Sequence, residues 1–220
     1  MKFAAIFDMD GVLVDTYNIM WGTHKNELEK YGVHLTDKDI SLYVGGSLRD
    51  NVKAWNERFD LSLDFDKYSV YMWAVQAELF KTIQPMHNLV SLLDELANKN
   101  VPKGVGTCAH RGRAENILNS TSLIRYFPVV ITSDEVKLHK PNPDIYIEVA
   151  KGLGVEPENC IVFEDAENGI QAAKAGNMKA VGYYNKHNSL KDLAGADIII
   201  SDFSEINCDK MYSLLQKLAA

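Results

Sequence analysis

Short apolar runs recur along the chain, and stretches with helical spacing of apolar residues separate most of them. Runs of this length are typical of strands buried on both faces of a parallel sheet. The predicted strands are Lys2–Phe7, Lys103–Gly106, Val129–Thr132, Cys160–Phe163, Ala180–Tyr183 and Asp197–Ile200. The predicted helices between and after them are His87–Lys99, Arg111–Asn119, Pro143–Gly152, Asn168–Ala175 and Asp209–Ala219. This alternation predicts an α/β fold with a doubly wound, mainly parallel, Rossmann-like sheet.

The pattern changes between the first and second predicted strands, where consecutive helical stretches follow one another without a convincing strand. These stretches are Tyr17–Tyr31, Ser47–Phe59 and Phe65–Phe80. They predict an all-helical domain, residues 16–81, inserted into a core formed by residues 1–15 and 82–220. Since both linkers would leave the core beside the loop after the first strand, we expect the insertion to act as a cap over that loop.

Composition and charge restrict the classes of protein that fit. Of the 220 residues, 46% are hydrophobic, which is enough for a buried core. The net charge of −7 argues against a broad basic face for nucleic acid, so an anionic ligand must meet a local basic pocket.

The cysteines and the N-terminal segment indicate the cellular compartment of the protein. The three cysteines lie far apart, outside any zinc-site spacing, and we expect reduced thiols. The apolar stretch Phe3–Phe7 is too short for a signal peptide or a membrane span. These features favour a cytoplasmic protein that does not enter a membrane.

Asp8 and Asp10 directly follow the first predicted strand. Side chains two residues apart in an extended segment lie on the same side, so both carboxylates can face one pocket. A bound Mg²⁺ would offset their repulsion and keep Asp8 ionised as a nucleophile, while Asp10 could donate and later accept a proton. Two aspartates at this spacing, with no other evidence, more often belong to a solvated acidic loop. Here the buried strand before them and Gly11 after them favour a catalytic site.

Three further positions at predicted strand ends or loops carry polar groups suited to phosphate chemistry. Glu164 and Asp165 end the Cys160–Phe163 run and could complete a metal site, although such a pair alone is more often a helix N-terminal charge. Lys140 stands in a loop that prolines restrain, and its ammonium could bind a phosphoryl group during transfer. The alternative interpretation is an ordinary exposed lysine. Thr107 could bind phosphate oxygens or simply cap a helix.

Together these segments resemble, in order, the four motifs of the haloacid dehalogenase superfamily. The matching segments are Phe7–Thr16, Gly106–Thr107, Lys140–Asp144 and Phe163–Gly169. The helical insertion resembles the C1-type cap of the β-phosphoglucomutase-like subfamily. The resemblance implies an Asp8 nucleophile, an Asp10 acid and base, and a phosphoryl group held by Thr107 and Lys140. It also implies Mg²⁺ on Asp8, the Asp10 carbonyl and Asp165, with Glu164 assisting.

The basic residues give weaker indications of substrate. Arg49, in the segment Gly45–Asp50, resembles a residue of the cap loop that reaches over the active site. It could bind a second anionic group, although a surface arginine at a helix start fits equally well. Arg111 and Arg113 follow Thr107 closely enough to form a basic pocket, but a solvated helix turn is the favoured interpretation.

The resulting hypothesis is a capped, Mg²⁺-dependent phosphatase acting on a small phosphate monoester, with sugar phosphates as the leading class. A sugar-phosphate mutase of the same subfamily is the nearest alternative. Ala109 and Met20 count against it, since they stand where the mutases resemble one another in carrying a hydroxyl and a histidine. A receiver-like phosphoacceptor is disfavoured because its acceptor would follow a later strand. A non-catalytic binding module is disfavoured because all the expected polar groups are present.

Overall fold

The computed structural model describes residues 3–40, 42–43 and 48–216. The described residues form two compact units, one within residues 1–15 and 83–220 and the other within residues 16–82. The first unit is an α/β core and the second is helical. The predicted helix start at Ser47, the strand start at Lys2 and the last predicted helical residues, 217–219, lie outside the described residues.

The core unit contains a six-stranded sheet in which all neighbouring strands are parallel. Its strands are β1 (Ala4–Phe7), β2 (Lys103–Gly106), β3 (Val129–Ile131), β4 (Cys160–Glu164), β5 (Lys179–Tyr183) and β6 (Ile198–Ile200). The spatial order is β3-β2-β1-β4-β5-β6. This confirms the predicted doubly wound fold, and each strand agrees with its predicted run to within two residues.

Helices flank the sheet at positions close to those predicted. In our numbering, where α1 to α4 belong to the helical unit, the core helices are α5 (Leu89–Asn98), α6 (Arg111–Ser120), α7 (Asp144–Leu153), α8 (Glu167–Ala175) and α9 (Cys208–Gln216). Every residue of β1, β2, β4 and β5 is buried. This explains why these strands are short apolar runs without alternation.

The order of strands changes direction between β1 and β4, which are neighbours in the sheet but far apart in sequence. In doubly wound sheets such a switch point leaves a crevice beyond the carboxyl ends of the two strands. The rings of Phe7 and Phe163, the register partners just before that crevice, stack at 4.6 Å with an interplanar angle of 7°. The stack fixes the two strand ends from which Asp8 and Glu164 project.

The two ends of the core that flank the insertion lie side by side. Val14 forms an isolated antiparallel bridge with Pro85, and the Met86 N–H donates to the Leu13 carbonyl at 2.9 Å. The chain therefore leaves the core unit and returns to it at neighbouring points.

The helical unit has its own aromatic core. Its described helices are α1 (Tyr17–Glu29), α2 (Asp37–Ile40), α3 (Leu48–Phe59) and α4 (Phe65–Leu79). Trp55 is fully buried and packs against the rings of His24, Tyr43 and Tyr68. The short α2 was not predicted, because four residues are too few to show a helical period.

None of the helices formed by the described residues combines the length and the apolar character needed to cross a membrane.

Candidate active site

Asp8 and Asp10 lie in a tight loop directly beyond β1. The Asp8 N–H donates to the Phe163 carbonyl at 2.9 Å, and the Gly11 N–H donates to the Val14 carbonyl at 2.8 Å. The Asp8 side chain is 10% exposed and that of Asp10 is 29% exposed. The loop backbone thus places one buried and one partly accessible carboxylate at the switch point.

Lys140 joins the ends of β1 and β4. Its Nζ lies 2.5 Å from Asp8 Oδ1 and 2.7 Å from Glu164 Oε1, and its side chain is almost completely buried. The Tyr146 hydroxyl donates to the same Glu164 oxygen at 2.7 Å. The alternative of an exposed lysine is therefore wrong, because Lys140 is held between two carboxylates.

Burial acts to lower the pKa of Lys140, but Asp8 and Glu164 outweigh it and hold that pKa well above its ordinary value. Lys140 is thus a fixed cation. Burial raises the pKa of Asp8 to about 7, with Lys140 opposing the rise and Glu164 and Asp10 adding to it. Burial, followed by the charges of Glu164 and Asp8, also raises the pKa of Asp165 well above its usual range. Burial therefore favours the neutral forms of Asp8 and Asp165, which a nearby cation would oppose.

Glu164 is the last residue of β4, and α8 begins three residues later. Its Oε2 accepts from the backbone N–H groups of Asp165 and Ala166 at 2.8 and 2.9 Å. The carboxylate thus lies at the first turn of α8, as the alternative of a helix N-terminal charge has it, and it contacts Lys140 as well. Glu164 links Lys140 to the turn that carries Asp165.

Two glycines make room for the carboxylates. A Cβ on Gly169 would overlap the Glu164 carboxylate, lying only 2.6 Å from its Oε2. Gly11, with φ +77°, has no room for a Cβ, which would overlap the Asp165 carboxylate and lie 2.6 Å from Asn185 Nδ2. These close approaches require glycine at both positions.

Thr107 is fully buried just beyond β2, on the strand next to β1. Its N–H donates to the Ile131 carbonyl at 3.0 Å, and its hydroxyl oxygen accepts from the Ala109 N–H at 3.1 Å. The capping residue of α6 is His110, whose Nδ1 accepts from the Arg113 N–H. Thr107 is therefore not the cap of that helix.

Two asparagines at this edge were missed in the sequence. The Asn185 amide donates to Asp165 Oδ2 at 2.7 Å and to the Gly11 carbonyl at 2.9 Å. The Asn188 amide donates to the Asp165 and Tyr183 carbonyls at 2.7 and 2.9 Å. The signal was available, because both follow β5 and therefore a strand's carboxyl end, where the other polar residues were sought.

The two arginines of α6 differ in their surroundings. Arg113 is mostly buried and its Nη2 donates to Asp10 Oδ1, so its interpretation as part of a solvated helix turn is wrong. Arg111 is one-third exposed and its Nη2 lies 2.7 Å from Glu135 Oε1 and 2.9 Å from the Val130 carbonyl. Of these two arginines, Arg113 is the one that contacts Asp10, a predicted site residue.

Arg49 lies in α3 of the helical unit, where its guanidinium sits 3.8 Å above the centre of the Phe65 ring. Its Nη2 is 3.8 Å from Asp66 Oδ1, and its side chain is 69% exposed. Residues 45–47 of the predicted cap loop lie outside the described residues. The contact of Arg49 with substrate stays a prediction.

A sequence profile of the haloacid dehalogenase-like hydrolase family matches residues 5–183. That span includes all of β1 except its first residue, all of β2 to β5, and every predicted site residue.

Similar proteins agree with this match. The chain is 30% identical to validoxylamine A 7'-phosphate phosphatase of Streptomyces hygroscopicus subsp. limoneus, over 94% of this chain and 96% of that protein. It is 33% identical to a fructose-1-phosphate phosphatase of Escherichia coli (strain K12), over 80% and 93%. It is 27% identical to the beta-phosphoglucomutase of Bacillus subtilis (strain 168), over 95% and 93%.

Among solved structures, the beta-phosphoglucomutase of Clostridium difficile superposes with a TM-score of 0.86, at 24% identity, over 100% of this chain and 99% of that one. At this identity the superposition establishes the fold alone. With the profile match and the phosphatase relatives, the chain belongs to the haloacid dehalogenase-like hydrolase family.

Proposed function

We propose that this chain is a Mg²⁺-dependent phosphatase that hydrolyses a small phosphate monoester through an aspartyl-phosphate formed on Asp8. The observation that carries the proposal is the contact of Lys140 with both Asp8 and Glu164 at the switch point of the sheet. The two phosphatases named above act on validoxylamine A 7'-phosphate and on fructose 1-phosphate, and the second substrate supports a sugar phosphate as the leading class.

The donor chemistry of the site fits Mg²⁺. Among the described residues, no three Asp, Glu, His or Cys side chains are arranged to hold a metal by themselves. Mg²⁺, however, commonly binds through one or two carboxylates together with waters and substrate phosphate oxygens. The buried carboxyl groups of Asp8 and Asp165 supply hard oxygen ligands, and a bound cation would favour their ionised forms against the burial that raises their pKa values. The residues that would hold the ion are Asp8, Asp10 through its carbonyl, and Asp165, with Glu164 assisting.

When bound, Mg²⁺ would keep Asp8 ionised and neutralise charge on the phosphate. In the first half-reaction an Asp8 oxygen attacks phosphorus, and the bond from phosphorus to the leaving oxygen breaks as Asp10 gives that oxygen a proton. In the second, Asp10 accepts a proton from water as the water oxygen attacks phosphorus and the Asp8–phosphate bond breaks.

Lys140 and Thr107 are proposed to hold the phosphoryl oxygens during both steps. The Lys140 ammonium contacts Asp8 and Glu164 and also interacts with the Tyr146 side chain, and its fixed positive charge would attract a phosphoryl oxygen bound beside Asp8. A preorganised donor of this kind stabilises the charge that develops in the transition state.

A sugar-phosphate mutase is the second candidate, supported by the relative from Bacillus subtilis. Its core groups would be the same, and the reactions differ in whether a bisphosphate intermediate is kept and turned around. Ala109 and Met20 count against the mutase, because neither provides the polar group expected there.

The nucleophile is tested by replacing Asp8 with Asn. We expect turnover of p-nitrophenyl phosphate to fall by about 10³-fold or more, because the amide cannot form the aspartyl-phosphate. Asp209→Asn is the matched control, since the Asp209 side chain is 91% exposed. Full Mg²⁺-dependent turnover by the Asp8→Asn variant would contradict the proposal.

The metal is tested by titrating Mg²⁺ into protein stripped with a chelator. We expect Asp165→Asn to raise the Mg²⁺ concentration needed for half-maximal turnover by at least about 10-fold, because even outer partners of metal ligands have effects of that size. An unchanged Mg²⁺ requirement, with activity otherwise intact, would remove Asp165 from the metal site.

Steric room at Gly169 is tested by Gly169→Ala. In a helix interior alanine is ordinarily more stabilising than glycine by about 0.5–1 kcal/mol. Here, however, the Cβ of alanine would displace the Glu164 carboxylate. We expect turnover to fall by about 10²-fold, because a 1 Å misplacement has effects of that order. In Gly22→Ala, within α1, the added Cβ meets no atom within 4 Å, so activity should be retained and the melting temperature unchanged or higher.

The two candidate reactions are separated by supplying a hexose 1-phosphate with a hexose bisphosphate primer and measuring both products. We expect release of inorganic phosphate without isomer formation. Hexose 6-phosphate formed with little free phosphate would favour the mutase instead.

A further inference from the structure

Hydrogen bonds in the first turn of α6 fix the backbone of Arg113. Its backbone N–H donates to His110 Nδ1 at 3.3 Å and to the His110 carbonyl at 3.1 Å. The side chain is only 14% exposed. An arginine loses much conformational freedom when it is buried, so a fixed contact at its end is needed to offset that cost.

The contact at that end is Asp10. Arg113 Nη2 donates to Asp10 Oδ1 across 103 residues of sequence. The backbone of Asp10 is fixed by its bridge with Val14, but its side chain can still rotate about two bonds. The guanidinium restrains that rotation through a charge-assisted hydrogen bond.

Arg111 shows that this contact does not follow simply from having arginine at the start of α6. It lies in the same turn, but its guanidinium contacts Glu135 and the Val130 carbonyl at the edge of the sheet. The two side chains therefore differ in partner while sharing residue type and helix.

We propose that Arg113 is a positioning residue for Asp10. This inference rests on the proposed function, in which Asp10 gives a proton to the leaving oxygen and then takes one from water. The guanidinium stays protonated in proteins, so it cannot exchange that proton itself. Arg113 instead holds the Asp10 carboxyl in the orientation from which it exchanges protons in both half-reactions.

The test exploits a leaving group that needs no proton. p-Nitrophenolate leaves as the anion, so with p-nitrophenyl phosphate only the second half-reaction depends on Asp10. In Arg113→Ala we expect a burst of about one p-nitrophenolate per active site at close to the wild-type rate. Steady-state turnover should then be lower by about 10²-fold, as expected for a displaced acid–base group.

A sugar phosphate gives the complementary result. With fructose 1-phosphate as the probe, the leaving alkoxide needs a proton, so both half-reactions of Arg113→Ala should slow and no burst should appear. Asp10→Asn should show the same contrast between the two substrates. A merely structural role would lower both half-reactions with both substrates alike.

Three controls complete the experiment. Arg111→Ala should behave as the wild type with both substrates. Arg113→Lys, which retains the charge but not the planar fork, should recover part of the lost steady-state rate, whereas Arg113→Met should not. Thermal unfolding of each variant separates loss of fold from loss of positioning.

The results distinguish failure of the Arg113 positioning role from failure of the proposed phosphatase activity. Wild-type behaviour of Arg113→Ala, or a uniform loss without a burst, overturns the positioning role while leaving the phosphatase intact. If Asp10→Asn shows no burst, the acid–base role of Asp10 fails and the positioning role fails with it. If Asp8→Asn retains turnover, the aspartyl-phosphate mechanism itself is overturned.

Discussion

Buried negative charge at the carboxyl ends of β1 and β4 is the constraint on which the rest of the core site depends. The carboxylates of Asp8 and Glu164 are removed from water by the strands that carry them, and such burial is costly unless the charges are paired. Lys140 supplies the pairing for both. Asp165 is also buried beside Glu164 and Asp8, which raises its pKa, and a divalent ion bound there would favour its ionised form. A phosphoryl group brings negative charge of its own, so the proposed transfer needs that ion and Lys140 to offset the charge of the carboxylates.

The site residues that could be predicted from the sequence are those that lie close to the end of a strand. Asp8, Thr107, Glu164 and their neighbours could be placed from sequence, because parallel strands bring their carboxyl ends to one edge whatever the loops do. Asn185 and Asn188 obey the same rule, because both follow the carboxyl end of β5. The partner of Arg113 could not have been inferred, since the path of a long side chain depends on tertiary contacts between segments 103 residues apart.

Small residues are as much a part of the site as charged ones. Sequence patterns identify Gly11 and Gly169 as turn or helix residues, but they do not reveal that a carboxylate occupies the space where each Cβ would be. That knowledge requires coordinates, because it depends on the side-chain positions of Asp165 and Glu164. In the helical unit the position of Arg49 over Phe65 likewise depends on packing that no local pattern encodes.

The bridge between Val14 and Pro85 has a consequence for how this core could diversify. It joins the two points of the core unit between which the insertion lies. The entropy of closing a chain segment between two such points depends only weakly on the length of the segment. Each doubling of that length adds only about 0.6 kcal/mol for a flexible loop. A core built this way can accept an insertion of different size or sequence without redirecting the loop that carries Asp8, and new substrate preferences can arise while the reacting groups stay in place.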